Sequence, residues 1–281
     1  MNQSLPHDVI YEIMIQLHVN DLLQFCQSNQ SYQRLCTEKL WQLKYHQFYA
    51  DTQMDVYKIT WFNIVKICYA LSVLLETLPI SYTMKELYEL KKLDLSTKKL
   101  KTLPVEIGQL QNLQELYLSN NQLTTLPNAI GHLHHLRKLY LNDNHLTTLP
   151  NVIGHLHALQ ILYLTSNQLM ILSESIGQLQ NLQELWLNHN QLTTLPAEIG
   201  QLQNLNILYL NQNKLTTLPA EIGQLQNLEL LYLSSNQLTT LPSEIGQLKS
   251  LCVLKLYGNS LNPKADNKNY ANNINPKWIQ S

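Results

Sequence analysis

The chain has 281 residues, a formal net charge of −1 and 14% charged residues, well below the roughly 25% usual in soluble domains. Because positive and negative charges are nearly equal in number, the chain has no net electrostatic attraction for phosphate or anionic lipid, which disfavours nucleic-acid and membrane-surface binding. Four cysteines without a CxxC pair indicate free thiols in a reducing, cytoplasmic compartment. The start lacks a signal-peptide pattern, and the most apolar stretch, 64–75, is shorter than the roughly 20 residues of a membrane helix.

Residues 1–48 have the pattern of a small helical bundle. A proline near the first helical position and the acidic Asp8 favour a helix start at Leu5-Pro6. Apolar residues then recur at helical spacing in three segments. We expect the exposed apolar surface of this bundle to be formed by Leu5, Pro6, Ile13, Leu17, Leu22, Phe25, Leu35, Leu40 and Trp41.

The order of these apolar residues over 3–48 resembles the F-box family. The resemblance implies a three-helix unit whose apolar residues dock onto the Skp adaptor of a cullin-RING ubiquitin ligase, with Leu5 and Pro6 in the first contact. The sequence departs from the family at 27–32, where many F-boxes have Val-Ser-Arg and a tryptophan. An alternative is that the bundle only caps the open edge of the neighbouring domain. Residues 49–89 are expected to form a helical linker and N-terminal cap.

Residues 90–262 repeat one unit every 23 residues. The unit reads Leu-x-x-Leu-aromatic-Leu-x-x-Asn-x-Leu and continues with Leu-Pro-x-x-Ile-Gly-x-Leu. Its length and pattern resemble the leucine-rich repeat family, in particular the bacterial-style variety. The resemblance implies an α+β solenoid: a curved array with a parallel β-sheet on its concave face, after the helical bundle and linker helices. Residues 263–281 are expected to be a polar tail. The leucines that open the units are Leu90, Leu113, Leu136, Leu159, Leu182, Leu205, Leu228 and Leu251.

The spacing within a unit has a physical reason. Leu116 and Leu118 are two residues apart and share one face of a short strand, so Tyr117 points outward. About seven inward apolar side chains contribute roughly 10 to 20 kcal/mol per unit, against about 1 to 2 kcal/mol of backbone entropy per residue. A single unit therefore cannot fold alone, and neighbouring units must stack.

Other recurring residues are predicted to be structural. An asparagine recurs where each strand ends, and its amide can satisfy buried backbone groups. A proline recurs on the return path, where a fixed φ and a missing donor are tolerated. The first unit has Lys98 in place of the asparagine, which is typical of a capping repeat. In the fourth unit, Met170-Ile171 and Ser173 replace Thr-Thr and proline, either as a contact site or as drift.

Outward positions on the strands are the candidate binding site, because the inward positions form the core. Aromatic side chains dominate binding hot spots, although near-identical duplication alone would also copy them. A neighbouring column becomes apolar toward the C-terminal end. We predict a protein target there; a sugar is less favoured because few carboxylates or amides are expected beside the aromatics. The predicted target-binding residues are Tyr117, Tyr140, Tyr163, Trp186, Tyr209 and Tyr232, with Ile207, Leu230 and Val253.

Histidines at 132, 134, 155 and 157 could pair to hold zinc, but other units have glutamine at these positions, so we expect polar surface and no metal or other cofactor. No Ser/His/Asp or phosphate-loop signature occurs, and the segment after the repeats is too short and cysteine-free for the ligase domain of some bacterial repeat effectors.

The favoured function is therefore a non-enzymatic substrate-recognition adaptor of a Skp-cullin-F-box ligase. The alternative is an interaction or inhibitor scaffold unconnected to ubiquitination. A eukaryotic-type module joined to bacterial-style repeats suggests an intracellular bacterium or a large virus as the source, with action in the host cytoplasm.

Overall fold

The computed structural model describes residue 70 and residues 73–82 and 84–261. The chain divides into two compact units, 1–89 and 90–281. The predicted three-helix bundle, its candidate Skp-binding residues and the polar tail lie outside the described residues. In the first unit, residues 73–77 are helical and helix α1 spans Met84–Tyr88. Leu74 and Leu87 are fully buried there. No helix in the described ranges is both long and apolar enough to cross a bilayer.

The second unit is a solenoid in which each of the first seven repeats contributes one strand and one short 3-10 helix, and the described part of the eighth contributes a strand. Its described part contains one parallel sheet of eight strands in sequence order. The strands are β1 (Lys92–Asp94), β2 (Glu115–Tyr117), β3 (Lys138–Tyr140), β4 (Ile161–Tyr163), β5 (Glu184–Trp186), β6 (Ile207–Tyr209), β7 (Leu230–Tyr232) and β8 (Val253–Lys255). The 3-10 helices are η1 (Val105–Gln109), η2 (Asn128–His132), η3 (Asn151–His155), η4 (Glu174–Gln178), η5 (Ala197–Gln201), η6 (Ala220–Gln224) and η7 (Ser243–Gln247).

The core is made of the repeated aliphatic positions, as the spacing predicts. Every strand buries its middle residue and leaves the two flanking residues partly exposed or exposed. The number of inward positions per repeat agrees with the sequence-based expectation of about seven. In the third repeat the inward side chains, all at most 7% exposed, are Leu136, Leu139, Leu141, Leu146, Leu149, Ile153 and Leu156.

The recurring proline stands at the start of the 3-10 helix. Pro150 is the N-cap of η3, with φ −67° and ψ 145°, values that a proline ring adopts without strain. Its carbonyl accepts a hydrogen bond from the amide of Ile153 at 2.9 Å. The return path is therefore a pre-set turn followed by one short helix. In the fourth repeat, Ser173 adopts similar backbone angles and its hydroxyl accepts from the amide of Ser175.

The recurring asparagine links consecutive repeats, which confirms the prediction that its amide satisfies buried backbone groups. The Asn190 side-chain amide donates to the carbonyls of Leu164 and Leu187, at 2.9 and 3.1 Å. Its Oδ1 accepts from the amide of Leu169 at 3.0 Å. One buried side chain thus satisfies backbone groups of two repeats. At the N-terminal end the equivalent residue, Lys98, is exposed, and the series of linking asparagines begins with Asn121 of the second repeat, whose amide donates to the carbonyl of Leu95.

Each repeat has a residue with left-handed backbone geometry, and the first repeat has two, Thr97 and Lys99. The residue before each ladder asparagine has a positive φ, for example 56° at His189. Its amide donates to the carbonyl of Asn211 in the next repeat at 3.0 Å. This turn directs the chain away from the sheet, so that the asparagine side chain can point inward.

Candidate functional site

The sheet face, defined as the outward side chains of β1–β8, contains a continuous aromatic ladder. Strand register aligns each aromatic with the next, so Tyr117 pairs with Tyr140 and Trp186 with Tyr209. Asp94 and Lys255 occupy the same column at its two ends. All the ladder residues are half-buried. The ladder consists of Tyr117, Tyr140, Tyr163, Trp186, Tyr209 and Tyr232.

The ladder rings pack against one another. Ring centroids are 4.6 Å apart between Tyr117 and Tyr140, and 4.0 Å apart between Trp186 and Tyr209, both with nearly parallel planes. At Tyr163 the packing changes to an edge contact with Tyr140 and a tilted contact with Trp186. Three of the five contacts between neighbouring rings are stacked, so the facing sides of those rings are covered and a ligand there would contact edges and polar tips.

The N-terminal end of the sheet face has a compensated charge cluster. Glu115 forms an ion pair with Lys138, whose Nζ lies 3.0 Å from Oε1 of the carboxylate. The Nζ of Lys92 lies 4.0 Å from the other oxygen, Oε2. The Lys138 bond, followed by the Tyr117 hydroxyl, lowers the pKa of Glu115. Lys92 also lies 4.7 Å from the centroid of the Tyr117 ring.

The Tyr117 hydroxyl should stay protonated well above the usual tyrosine range. Burial, together with its 2.8 Å hydrogen bond to Glu115, raises the pKa of Tyr117 to about 12. A raised folded-state pKa means that this group's contribution to stability is present below about pH 10 and is lost as the pH rises toward 12. Carbon-13 NMR of ring-labelled tyrosine, assigned with Tyr117→Phe, measures the titration directly. Titration near pH 10 would contradict the buried, hydrogen-bonded geometry.

The centre of the sheet face carries a second carboxylate with a different environment. Glu184 Oε2 accepts from Trp186 Nε1 at 3.0 Å and from the Tyr163 hydroxyl at 3.2 Å. Burial first, and then this carboxylate, raises the pKa of Tyr163. Both donors are neutral, so they do not compensate the charge on Glu184.

The C-terminal end is apolar beside the ladder. Ile207, Leu230 and Val253 occupy aligned positions on β6, β7 and β8 and are half-buried. On the other side of the ladder there is a depression of about 440 Å³, lined by aromatic, amide, hydroxyl and amine groups. Its lining residues are Trp186, Asn188, Tyr209, Asn211, Tyr232, Ser234 and Lys255.

The prediction that few carboxylates or amides lie beside the aromatic ladder, where a sugar would need them, was wrong. Carboxylates do lie beside the ladder at Glu115 and Glu184, and amides line the depression at Asn188 and Asn211. A different property disfavours sugar stacking, namely that the ring faces are already packed against one another. A pyranose needs a free ring face, and the stacked pairs have few to offer.

The return side of the fourth repeat exposes the apolar pair anticipated from its sequence. Met170 is 54% and Ile171 60% exposed. They adjoin a larger depression of about 880 Å³, whose lining includes Ile171, Ser173 and Glu198. This surface lies on the return side, away from the aromatic ladder.

The histidines of the second and third repeats lie on the surface. His132, His134, His155 and His157 are all exposed. Within the part of the chain that the structure describes, no group of three or more His, Cys, Asp or Glu side chains could hold a metal ion. The geometry therefore offers no described site for zinc.

Comparison with known proteins agrees with this architecture of stacked strand-and-turn units. The leucine-rich repeat region family matches residues 77–162 and 174–269, which is more than half of the chain. The protein therefore belongs to the leucine-rich repeat family. The residues between the two matches, 163–173, include the variant segment at Met170-Ile171. No protein with a curated description is similar enough to match.

The solved structures that are similar to this chain include the following three. The leucine-rich repeat ectodomain of the plant membrane receptor kinase GASSHO1/SCHENGEN3 from Arabidopsis thaliana, in complex with CASPARIAN STRIP INTEGRITY FACTOR 2, is 33% identical with a TM-score of 0.52, over 57% of this chain and 20% of that chain. A Leptospira interrogans leucine-rich repeat protein is 30% identical, with a TM-score of 0.32 over 69% and 85% of the two chains. The plant peptide hormone receptor RGFR1, in complex with RGF2, is 30% identical, with a TM-score of 0.44 over 57% and 30%.

Proposed function

We propose that this protein is a non-enzymatic interaction scaffold whose sheet face binds a protein ligand. The observation that carries the proposal is the unbroken aromatic ladder beside an apolar patch on the same sheet face. Six rungs about 4.8 Å apart extend about 24 Å, the length of an extended segment rather than of a small metabolite. The Arabidopsis ectodomain, whose fold is similar, was solved as a complex with CASPARIAN STRIP INTEGRITY FACTOR 2.

The stacked rings favour tight binding for an entropic reason. Ordering side chains at an interface costs about 0.5 to 1.5 kcal/mol for each flexible side chain. Tyr163, Trp186 and Tyr209 already contact their neighbours at centroid distances of 4.0 to 4.8 Å. Their rotamers are thereby restricted before any ligand arrives, so most of this cost is met by folding.

Changing Tyr163, Trp186 and Tyr209 together to alanine should abolish ligand binding. Each buried aromatic of a hot spot contributes about 2 kcal/mol or more, so the loss should be at least about 100-fold. The probe is a set of peptides selected from a displayed random library on the full-length chain, and affinity is measured by calorimetry.

The matched control changes three exposed threonines on the return side of the third, fifth and sixth repeats, Thr148, Thr194 and Thr217, to alanine, and should bind like wild type. Circular dichroism checks that both variants are folded. If the aromatic variant does not fold, Ile207→Arg alters one half-buried residue of the same face. Unchanged affinity in the folded aromatic variant, or in Ile207→Arg, would rule out the sheet face as the binding site.

As a finer function, we propose that the scaffold serves as a ubiquitin-ligase adaptor, acting in a cytoplasm that contains Skp. The support is the F-box-like order of apolar residues over 3–48. A tagged full-length chain should retain Skp from a eukaryotic lysate, and changing Leu5 and Pro6 to alanine should reduce the amount severalfold. The aromatic triple variant should retain Skp unchanged. Absence of Skp from the wild-type pull-down would exclude the ligase role and leave the scaffold function standing.

A further inference from the structure

The sheet face contains two glutamates in the same column, and they differ in whether a nearby cation compensates the carboxylate charge. Glu115 has two lysine ammonium groups within 4.0 Å. Glu184 has none at that distance among the described residues, and Lys138, two strands away, interacts with it only over a longer range. The described hydrogen bonds of Glu184 come from Trp186 and Tyr163, both to Oε2. Its Oε1 is left without a described donor.

The surroundings of Glu184 make that charge costly. Its strand neighbours in the column are Ile161 and Ile207, and the Glu184 side chain is half-buried between them. A carboxylate beside apolar side chains loses part of its hydration, and a cation that donates to it replaces the lost interactions with water. The Oε1 atom is therefore a favourable position for a ligand cation.

The column beyond Glu184 determines which side chains a ligand can place after the cation. Ile207, Leu230 and Val253 continue the same column without a further charge. With strands about 4.8 Å apart, this patch extends from about 5 to 14 Å beyond Glu184. In an extended peptide, side chains on one face recur about every 6.6 Å, so the second and fourth residues after the cation reach the patch.

Resting on the proposed function, we propose that the sheet face recognises an extended protein segment in which a basic side chain binds Glu184 and two apolar side chains, spaced two residues apart, pack on Ile207, Leu230 and Val253. At β1–β3, Glu115 is already paired with lysines, and the other carboxylate, Asp94, lies at the edge of the sheet in the ladder column, far from the apolar patch. Glu184 is thus the residue that determines charge specificity.

The proposal is tested with the random peptide library displayed against the full-length chain and three variants. Selection on wild type should enrich peptides with an arginine or lysine separated by one residue from the nearer of two alternating apolar residues. Glu184→Gln keeps an oxygen that can accept from Trp186 but removes the charge, so it should weaken these peptides about tenfold or more. Glu115→Gln, the matched control, should change affinity less than about threefold. Glu184→Lys should enrich acidic residues at the basic position.

Each outcome is decisive. Selected peptides that bind through the ladder but lack a basic residue, or that tolerate Glu184→Gln, would overturn the specificity proposal and leave the proposed function intact. Equal weakening by Glu115→Gln would show a general field effect and overturn it as well. Failure to obtain any peptide that depends on the sheet face would overturn the proposed function itself.

Discussion

Asn190→Ala should destabilise the solenoid by about 3 kcal/mol or more. The side chain is 7% exposed and supplies a partner to two carbonyls and one amide of the backbone. Alanine leaves the amide of Leu169 unsatisfied in a site closed to water, which costs about 1 to 3 kcal/mol. It also removes two hydrogen bonds of about 1 kcal/mol each, while the carbonyls of Leu164 and Leu187 keep the amides of Asn167 and Asn213 as donors. The effect should be large because Asn190 joins the fourth repeat to the fifth, where stability depends on contacts between neighbours.

Chemical denaturation followed by circular dichroism measures this loss. Asn204→Ala is the matched control, because Asn204 is exposed and its amide donates to a single carbonyl, that of Gln180, at 2.7 Å. It should cost less than about 1 kcal/mol, the net value of a typical hydrogen bond. Equal effects of the two substitutions would show that the buried asparagines do not hold the repeats together.

Gly177→Ala should also destabilise the array, by about 1 to 3 kcal/mol, through lack of space rather than through backbone conformation. A Cβ at Gly177 would lie 2.7 Å from the carbonyl oxygen of Glu198 and 2.9 Å from its Cβ. Neither atom can rotate away, because both belong to the backbone or its first side-chain bond in η5. The 3-10 helices of two repeats would have to separate, and the strain would spread along the stack.

Thermal unfolding of Gly177→Ala, compared with Ala197→Gly, checks this expectation. Ala197 is an exposed first residue of η5, so its change to glycine tests flexibility without crowding and should cost at most about 1 kcal/mol. A melting temperature of Gly177→Ala equal to that of the wild type would contradict the close approach of the two helices.

The periodic leucines were sufficient to predict the array, because side chains alternate between the two faces of a strand. The spacing of the leucines therefore determines which side chains point into the core. The same reasoning identified the ladder asparagine, since a buried turn needs both a donor and an acceptor. It did not identify the positive φ at the residue before each asparagine, because the residue type there varies, from Asn120 and Gly258 to Ser166 and Gln212. Asparagine and glycine favour this geometry locally, whereas at Ser166 and Gln212 it is imposed by repeat stacking.

For the candidate site, the sequence predicted which residues share the sheet face but not how they interact. The packing of the ladder rings depends on ring orientation, and the change at Tyr163 from stacked to edge contact has no sequence signal. Glu115 forms ion pairs and Glu184 does not, because lysines occupy the strands adjacent to Glu115 only. That signal was available from the 23-residue spacing, in which Lys92 and Lys138 flank Glu115 and isoleucines flank Glu184.

Site-specific photo-crosslinking tests most directly whether the sheet face is where a ligand binds. A benzophenone side chain is placed at Asn211, beside the ladder, or at Thr217, on the return side of the same repeat. Each protein is irradiated with the tightest ligand selected on the wild-type chain. Adducts should form from position 211 and not from position 217. Adducts from position 217 without any from position 211 would show that the ligand binds the opposite side and would contradict the proposed function.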